Sequence, residues 1–324
     1  PPTPPVADLT FSAAVRTAAA DYLARLGGDL GLNRFRAVRI GTTGTGEIGY
    51  PGPNDGGGGG SFWAFDEAAQ SGAGLAAGMT PNPLPGWQPG TGSWRGSPVA
   101  AAQVTAWFSW YRDASVDALA WQLTTLRGLG YHGPVHVPVA GRGVLPSGLA
   151  EALTSDLQTA GTPDGSLERG LDYPAQLRAL AALDRRDRNS GGGGIAVDFT
   201  GFDDASAVRA RALAPPQEGC RTGDTEAASR AGLDVSQWSN QRWTTANARL
   251  VGLSVVGENP GPPDKAHTGG GPNSDSSLEQ LQYAPAAARA CGAALFLWAF
   301  EDTLFDGRYG TSLTELSERV REVN

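Results

Sequence analysis

Residues Arg39 to Pro51 read Arg-Ile-Gly-Thr-Thr-Gly-Thr-Gly-Glu-Ile-Gly-Tyr-Pro: a short apolar strand runs into a glycine-rich turn that carries one carboxylate, Glu47. Leu250 to Pro260 repeat the design as Leu-Val-Gly-Leu-Ser-Val-Val-Gly-Glu-Asn-Pro, so that Glu258 also leaves the end of an apolar strand. The two glutamates stand 211 positions apart (258 minus 47). Carboxylates at the C-terminal ends of separate strands are what a parallel α/β barrel uses for chemistry, because its loops vary there while the sheet below stays fixed. Between the two segments, helical periodicity alternates with short apolar runs, the pattern of parallel βα units.

Phe11 to Leu26 carries a helical apolar stripe, and Ala37 to Gly41 reads as the first strand. A loop-rich insertion from Tyr50 to Pro98 holds Trp63, Trp87 and Trp94 among many glycines and prolines. Helices are expected at Ala100 to Leu129, Tyr173 to Arg188, Ser236 to Leu250, Leu278 to Ala290 and Leu313 to Val323. Strands are expected at Val135 to Val139, Ile195 to Thr200, Val251 to Val256 and Ala294 to Phe300. With the first, that makes five strands, each apolar throughout, as strands covered by helices on both faces are. A (β/α)8 TIM barrel requires eight strands. If Glu47 and Glu258 follow the fourth and seventh, the strands seen are four to eight. The first three units, roughly 30 residues each and about 90 in all, are then missing or on another chain. The expectation is a single, partial catalytic barrel domain over residues 1–324 with the insertion at 50–98. An open five-stranded α/β sheet is the alternative.

With 324 residues and 40% apolar content, the chain has enough material for a sizeable core. It has no apolar run of about 18 residues, so no membrane span is expected. Pro1 to Ala7 lacks the basic and then apolar pattern of a signal peptide. A secreted location is nevertheless the leaning. A net charge of −8 disfavours nucleic acid and anionic membranes as partners and suits a neutral ligand. Neither the two cysteines, Cys220 and Cys291, nor the scattered His132, His136 and His267 have metal-site spacing, and no cofactor is expected. Cysteine pairing stays open, since Cys291 before an apolar strand also reads as a small buried residue. The glycine runs 56–60, 191–194 and 269–271 lack the strand, spacing and Lys-Ser/Thr pair of a phosphate cradle and read as flexible loops.

Paired carboxylates suit glycosidic cleavage. One must protonate the departing oxygen, and the other must either activate water on the opposite side of the sugar or attack directly. The proton donor needs a pKa raised toward neutrality, which a second carboxylate and an apolar setting provide.

The stretch Ile40 to Pro51, with Gly-x-Gly-Glu-x-x-Tyr-Pro, resembles the general-acid segment of the β-amylases, glycoside hydrolase family 14. Phe199-Thr200 is similar to that family's inner-loop Phe-Thr, and Val256-Gly257-Glu258-Asn259 to its Gly-Glu-Asn segment. Trp107 to Gln122 echoes the helix that follows the family's long insertion. The resemblance implies a TIM-barrel hydrolase with Glu47 as general acid, Glu258 as general base and Thr200 as a sugar contact. Trp298 falls where β-amylases carry an arginine and is similar instead to the strand-eight tryptophan of retaining glycosidases such as the family 42 β-galactosidases. Those enzymes carry Asn before the acid, where this chain has Gly46.

Further substrate-binding candidates are Tyr50, which would orient Glu47; Trp298, as a stacking platform; and Glu301, with Asp302, for sugar hydroxyls. Trp63, Trp87 and Trp94 read as subsite walls or loop anchors. Trp107, Trp110 and Trp121 read as packing, Asp198 as a structural group needing a partner, and Asp203 and Asp204 as caps of the next element. The expected partner is a neutral oligo- or polysaccharide, with a second polypeptide or a homo-oligomer completing the barrel. A β-amylase-like attack on α-linked glucan leads. The alternatives are a retaining β-galactosidase-like reaction, a transglycosylase, and a non-catalytic carbohydrate-binding protein on a degenerate barrel.

Overall fold

The computed structural model describes residues 7–52, 61–158, 165–230, 234–258, 277–299, 304–305 and 312–323. Strands β1 (Val38–Arg39), β4 (Val135–Val139), β5 (Ile195–Phe199), β6 (Ser254–Glu258) and β7 (Phe296–Leu297) form one sheet in the order β1-β4-β5-β6-β7. Val38 pairs with Val135, Val197 with Val255 and Gly257 with Phe296, all in parallel register. Parallel neighbours need a crossover, and helices supply it in each interval. The fold class is mixed α/β. Two compact units divide the chain, one of residues 1–137 and 143–195, the other of 138–142 and 196–324.

In the first unit, α3 (Ala101–Gly128) buries Val104, Trp107, Phe108, Tyr111, Ala114, Ala118 and Leu119, a stripe at three- and four-residue spacing that continues through Leu126. Its start is closed by Gln103, whose side chain accepts from the Ala100 N–H at 2.9 Å. Helix α5 (Tyr173–Asn189) begins at Asp172, which caps Ala175 N and accepts from Arg112 of α3 at 2.9 Å. At the other end Arg127 grips both oxygens of Asp187 at 2.8 Å, a bidentate pair that fixes the register of α3 on α5. Helix α1 (Ala13–Leu30) is capped by Ser12, whose Oγ accepts from Val15 N.

The insertion is not a loose loop. It contains α2 (Glu67–Ser71) and a hairpin of β2 (Ser93–Trp94) and β3 (Ser97–Pro98), and it packs an aromatic core onto α3. Trp87, 1% exposed, meets the Trp107 ring edge-on at 5.4 Å and donates to Thr91 O. Trp94 donates to Pro85 O, and Trp110 to Thr80 O. Sequence reading missed α4 (Pro146–Thr154), whose proline occupies the first turn, where its fixed φ and missing N–H cost nothing. The glycine run 191–194 is likewise no flexible loop. Gly194 donates to Asp187 Oδ2 and accepts from Val135 N, each at 2.9 Å, forming a packed turn into β5. The other two runs lie mostly or wholly outside the described residues.

The second unit adds α6 (Ala205–Arg211), α7 (Asp224–Ala228), α8 (Asn240–Leu250), α9 (Ser277–Ala290) and α10 (Leu313–Val323) to β5, β6 and β7. Helix α8 starts at Ser239, not at Ser236, because the Ser239 hydroxyl caps Arg242 N. The next strand starts at Ser254, three residues later than expected, because Gly252 turns the chain at φ +81°. Only β4 and β5 are buried throughout; β1, β6 and β7 each leave residues partly exposed, against the expectation of uniformly covered strands. Arg242 joins Asp224 through two bonds of 2.9 and 2.7 Å, and its guanidinium lies 3.8 Å from the Trp238 ring centroid.

Cys220 and Cys291 form a disulfide, with Cα atoms 4.9 Å apart and a sequence separation of 71. Pairing was left open by the sequence, which cannot bring together a loop and a helix end that far apart. Closing a loop of that length removes about 4 kcal/mol of denatured-state entropy. Replacing both cysteines by serine should lower the unfolding free energy by roughly that amount in a urea titration. A midpoint unmoved by the double replacement would show that the bridge does not constrain the unfolded chain.

Candidate active site

Glu47 sits in a turn that fixes it from several sides. The N–H groups of Thr42 and Thr43 both donate to its carbonyl, at 2.9 and 3.1 Å, and its own N–H donates to Thr43 Oγ1 at 3.0 Å. Gly46 before it has φ +82°, which a residue with a side chain adopts only under strain. Arg169 Nη2 pairs with Glu47 Oε2 at 2.8 Å, and the two side chains are only 14% and 15% exposed. Tyr50 braces this pair through its backbone, donating its N–H to Arg169 O at 3.1 Å and receiving Arg169 Nε on its carbonyl. Its ring stacks on Tyr111 at 4.0 Å, and its hydroxyl donates to Tyr111 O, so the side chain is a core group. Burial holds the hydroxyls of both tyrosines well above the usual phenol range.

Glu258 is the last residue of β6 and is partly buried. A methyl group on the preceding Gly257 would lie 2.2 Å from the Phe202 ring, so the strand ends on a glycine because Phe202 fills the side-chain volume. Phe202 N donates to Glu258 O at 3.1 Å. Thr200 donates both its N–H and its hydroxyl to Val139 O, at 3.0 and 3.2 Å. Asp198 is fully buried in β5. Asp203 pairs with Arg211, and Asp204 caps α6 through Ser206 N and Ala207 N. Burial raises the Asp204 pKa, against the pull of those bonds and of Asn240. Trp298, partly buried just beyond β7, keeps its indole N–H away from solvent with no acceptor among the described residues. Glu301 lies outside the described residues.

Of the insertion tryptophans, Trp87 is core and Trp63 is a wall. Trp63 lines a cavity of about 300 Å³ together with Tyr50, Thr42, Phe62, Phe65, Asp8 and Asp66. Asp8 Oδ1 accepts from Thr10 N and Phe11 N, each at 3.0 Å, and Asp66 Oδ1 caps α2 through Ala69 N. Burial first, and then the neighbouring Asp66 carboxylate, push the Asp8 pKa up to about 6, against the backbone N–H groups of Phe11 and Thr10. Sequence reading did not single out Arg169, Asp8 or Asp66. Asp66 carried a signal as a helix cap before Glu67, but nothing in sequence shows that it converges with Asp8. Among the described residues no group of three metal-ligating side chains comes together.

No protein-family model and no curated protein matches the chain.

The raised Asp8 pKa gives stability a defined pH dependence. A carboxyl that holds its proton more tightly folded than unfolded contributes stability that is fully present below about 4 and is lost as pH rises through about 6. Allowing for its partial exposure, the loss is on the order of 2 kcal/mol. Asp8→Asn retains an oxygen for the two backbone N–H groups and should flatten the stability profile across that window in urea unfolding. A variant with the same slope as the parent would contradict the assignment.

Proposed function

We propose that the chain is the C-terminal part of a (β/α)8 O-glycosyl hydrolase that acts on a neutral oligo- or polysaccharide, with Glu47 and Glu258 as its catalytic carboxylates. One observation carries the proposal. Glu258 ends the parallel strand β6 and Glu47 lies in the turn that follows β1, eight residues past Arg39 (47 minus 39), each behind a glycine that the local backbone or packing requires. In sheet order β6 is three strands from β1, the spacing expected of the fourth and seventh barrel strands. Loops at that end of such a sheet are where barrel enzymes keep their reactive groups.

In this reading Glu47 delivers a proton to the departing oxygen, and Arg169 acts as a positioning residue that sets the orientation of its carboxyl group. Glu258 activates water if the carboxyls are about 6.5–9.5 Å apart, and attacks the anomeric carbon itself if they are about 5–5.5 Å apart. The resemblance to β-amylases favours the first outcome and an α-linked glucan; the tryptophan at 298 favours the second. The first three barrel units are supplied by a further segment or a partner chain. The disulfide fits an oxidising, extracellular setting. The ion pair of Glu47 with Arg169 favours a second reading, in which Glu47 anchors its turn and the protein binds carbohydrate without cleaving it.

Sugar release from an α-1,4-glucan and from aryl β-galactosides, with the anomer followed by proton NMR, separates these readings. Release that falls by about a thousandfold or more in Glu47→Gln supports the enzyme, with inverted maltose marking Glu258 as base and retained galactose marking it as nucleophile. Arg169→Gln should lower kcat more than it changes KM. No release from a preparation with the complete barrel, together with sugar binding that Glu47→Gln leaves unchanged, would overturn the enzyme reading.

A further inference from the structure

The cavity between the start of α1 and the segment leading into α2 has a chemistry of its own. Trp63, Phe62, Phe65 and Tyr50 provide aromatic walls, while Asp8 and Asp66 provide two carboxylates. No lysine or arginine is among its described lining residues. Asp8 Oδ2 is buried, and among the described residues no N–H or hydroxyl reaches it; its neighbour, within hydrogen-bonding reach of the Asp8 carboxyl, is the Asp66 carboxylate. Asp66 is exposed at the mouth, and Phe65 beside it is 44% exposed, so the cavity opens to solvent on that side. Arg16, which interacts electrostatically with Asp8, directs its Nε and Nη2 hydrogen bonds elsewhere: these atoms donate to Leu9 O and Thr10 O, and Nη2 also meets the Met79 sulfur. A buried carboxylate oxygen with no donor among the described residues, beside a second carboxylate and among aromatic side chains, matches one ligand type.

We propose that this cavity binds a small organic cation, a primary or secondary ammonium whose N–H groups bond to Asp8 and Asp66 while its apolar body lies against Trp63, Phe62 and Phe65. A volume of about 300 Å³ admits a single six-membered ring bearing the ammonium. The site goes beyond the glycosidase reading, because Glu47 does not line the cavity. The groups facing Asp8 electrostatically are Asp66, Arg16 and the buried Tyr50 and Tyr111 hydroxyls. Asp8 gives up its proton above about 6, while an alkylammonium keeps its own up to about 10, so the cation is held between those limits.

Isothermal titration of the full chain with cyclohexylamine, using cyclohexanol as the neutral isostere, tests the site. Saturable binding of the amine at about pH 8, weakened roughly tenfold or more at about pH 5, with none of the alcohol, is the expected result. Asp8→Asn and, independently, Asp66→Asn should each weaken the amine by about tenfold. Circular dichroism would confirm that each variant is folded, and Asp66→Asn leaves the Asp8 bonds to Thr10 and Phe11 intact. Absence of amine binding, equal binding of amine and alcohol, or affinity unchanged in both folded variants would overturn the proposal.

Discussion

Tyr111 joins four segments that are distant in sequence, and the Glu47 turn depends on it. Its ring stacks between Tyr50 and Trp107, at 4.0 and 5.1 Å. Its hydroxyl donates to Glu168 O at 2.6 Å and accepts from Trp63 N at 3.1 Å, while its carbonyl receives the Tyr50 hydroxyl at 2.9 Å. A buried phenol without partners would cost several kcal/mol, whereas here the hydroxyl both donates and accepts. Helix α3 thereby fixes the segment that carries Arg169, the start of the insertion and the turn that carries Glu47. Arg169 transmits that order to the carboxylate.

The same unit shows why its insertion is long and rich in glycine and proline yet ordered. Four aromatic rings of the helix and insertion, Phe62, Trp87, Trp107 and Tyr111, meet at centroid distances of 5.1–5.5 Å, mostly edge to face. Rings of this size bury large apolar areas with few torsions to fix, and so offset the entropy of ordering a segment with little regular structure. The cavity beside Trp63 lies at the margin of this cluster, where the rings stop and the two aspartates begin.

Much of the α/β pattern was legible in the sequence. Val135–Val139 and Leu313–Val323 match their expected bounds, and Ala101–Gly128 differs by one residue at each end. These segments carry strong periodicity or a continuous apolar run, so local signal and packing agree. The strands β1 and β7 are shorter than their apolar stretches because they keep partly exposed residues and pair over only two positions. Helix α4 was missed because its proline reads as a loop former unless it is placed in the first turn. At the site, the glutamates and their glycines could be seen as motifs. Arg169, 122 positions from Glu47, could not, since an ion pair between two loops leaves no periodic trace. The convergence of Asp8 and Asp66 was hidden for the same reason: each aspartate accepts from backbone N–H groups two or three residues along the chain. Trp87 could not be told from Trp63 by sequence, because only packing decides which ring faces Trp107 and which faces a cavity.

The proposed hydrolysis requires two carboxylates acting on one glycosidic bond. The distance between the Glu47 and Glu258 carboxyl groups, measured in a crystal structure of the assembly with all barrel strands in place, tests that most directly. A separation of about 5–9.5 Å is expected, with the value itself distinguishing nucleophile from base. Carboxyl groups well beyond about 10 Å, or on opposite ends of the sheet, would contradict it.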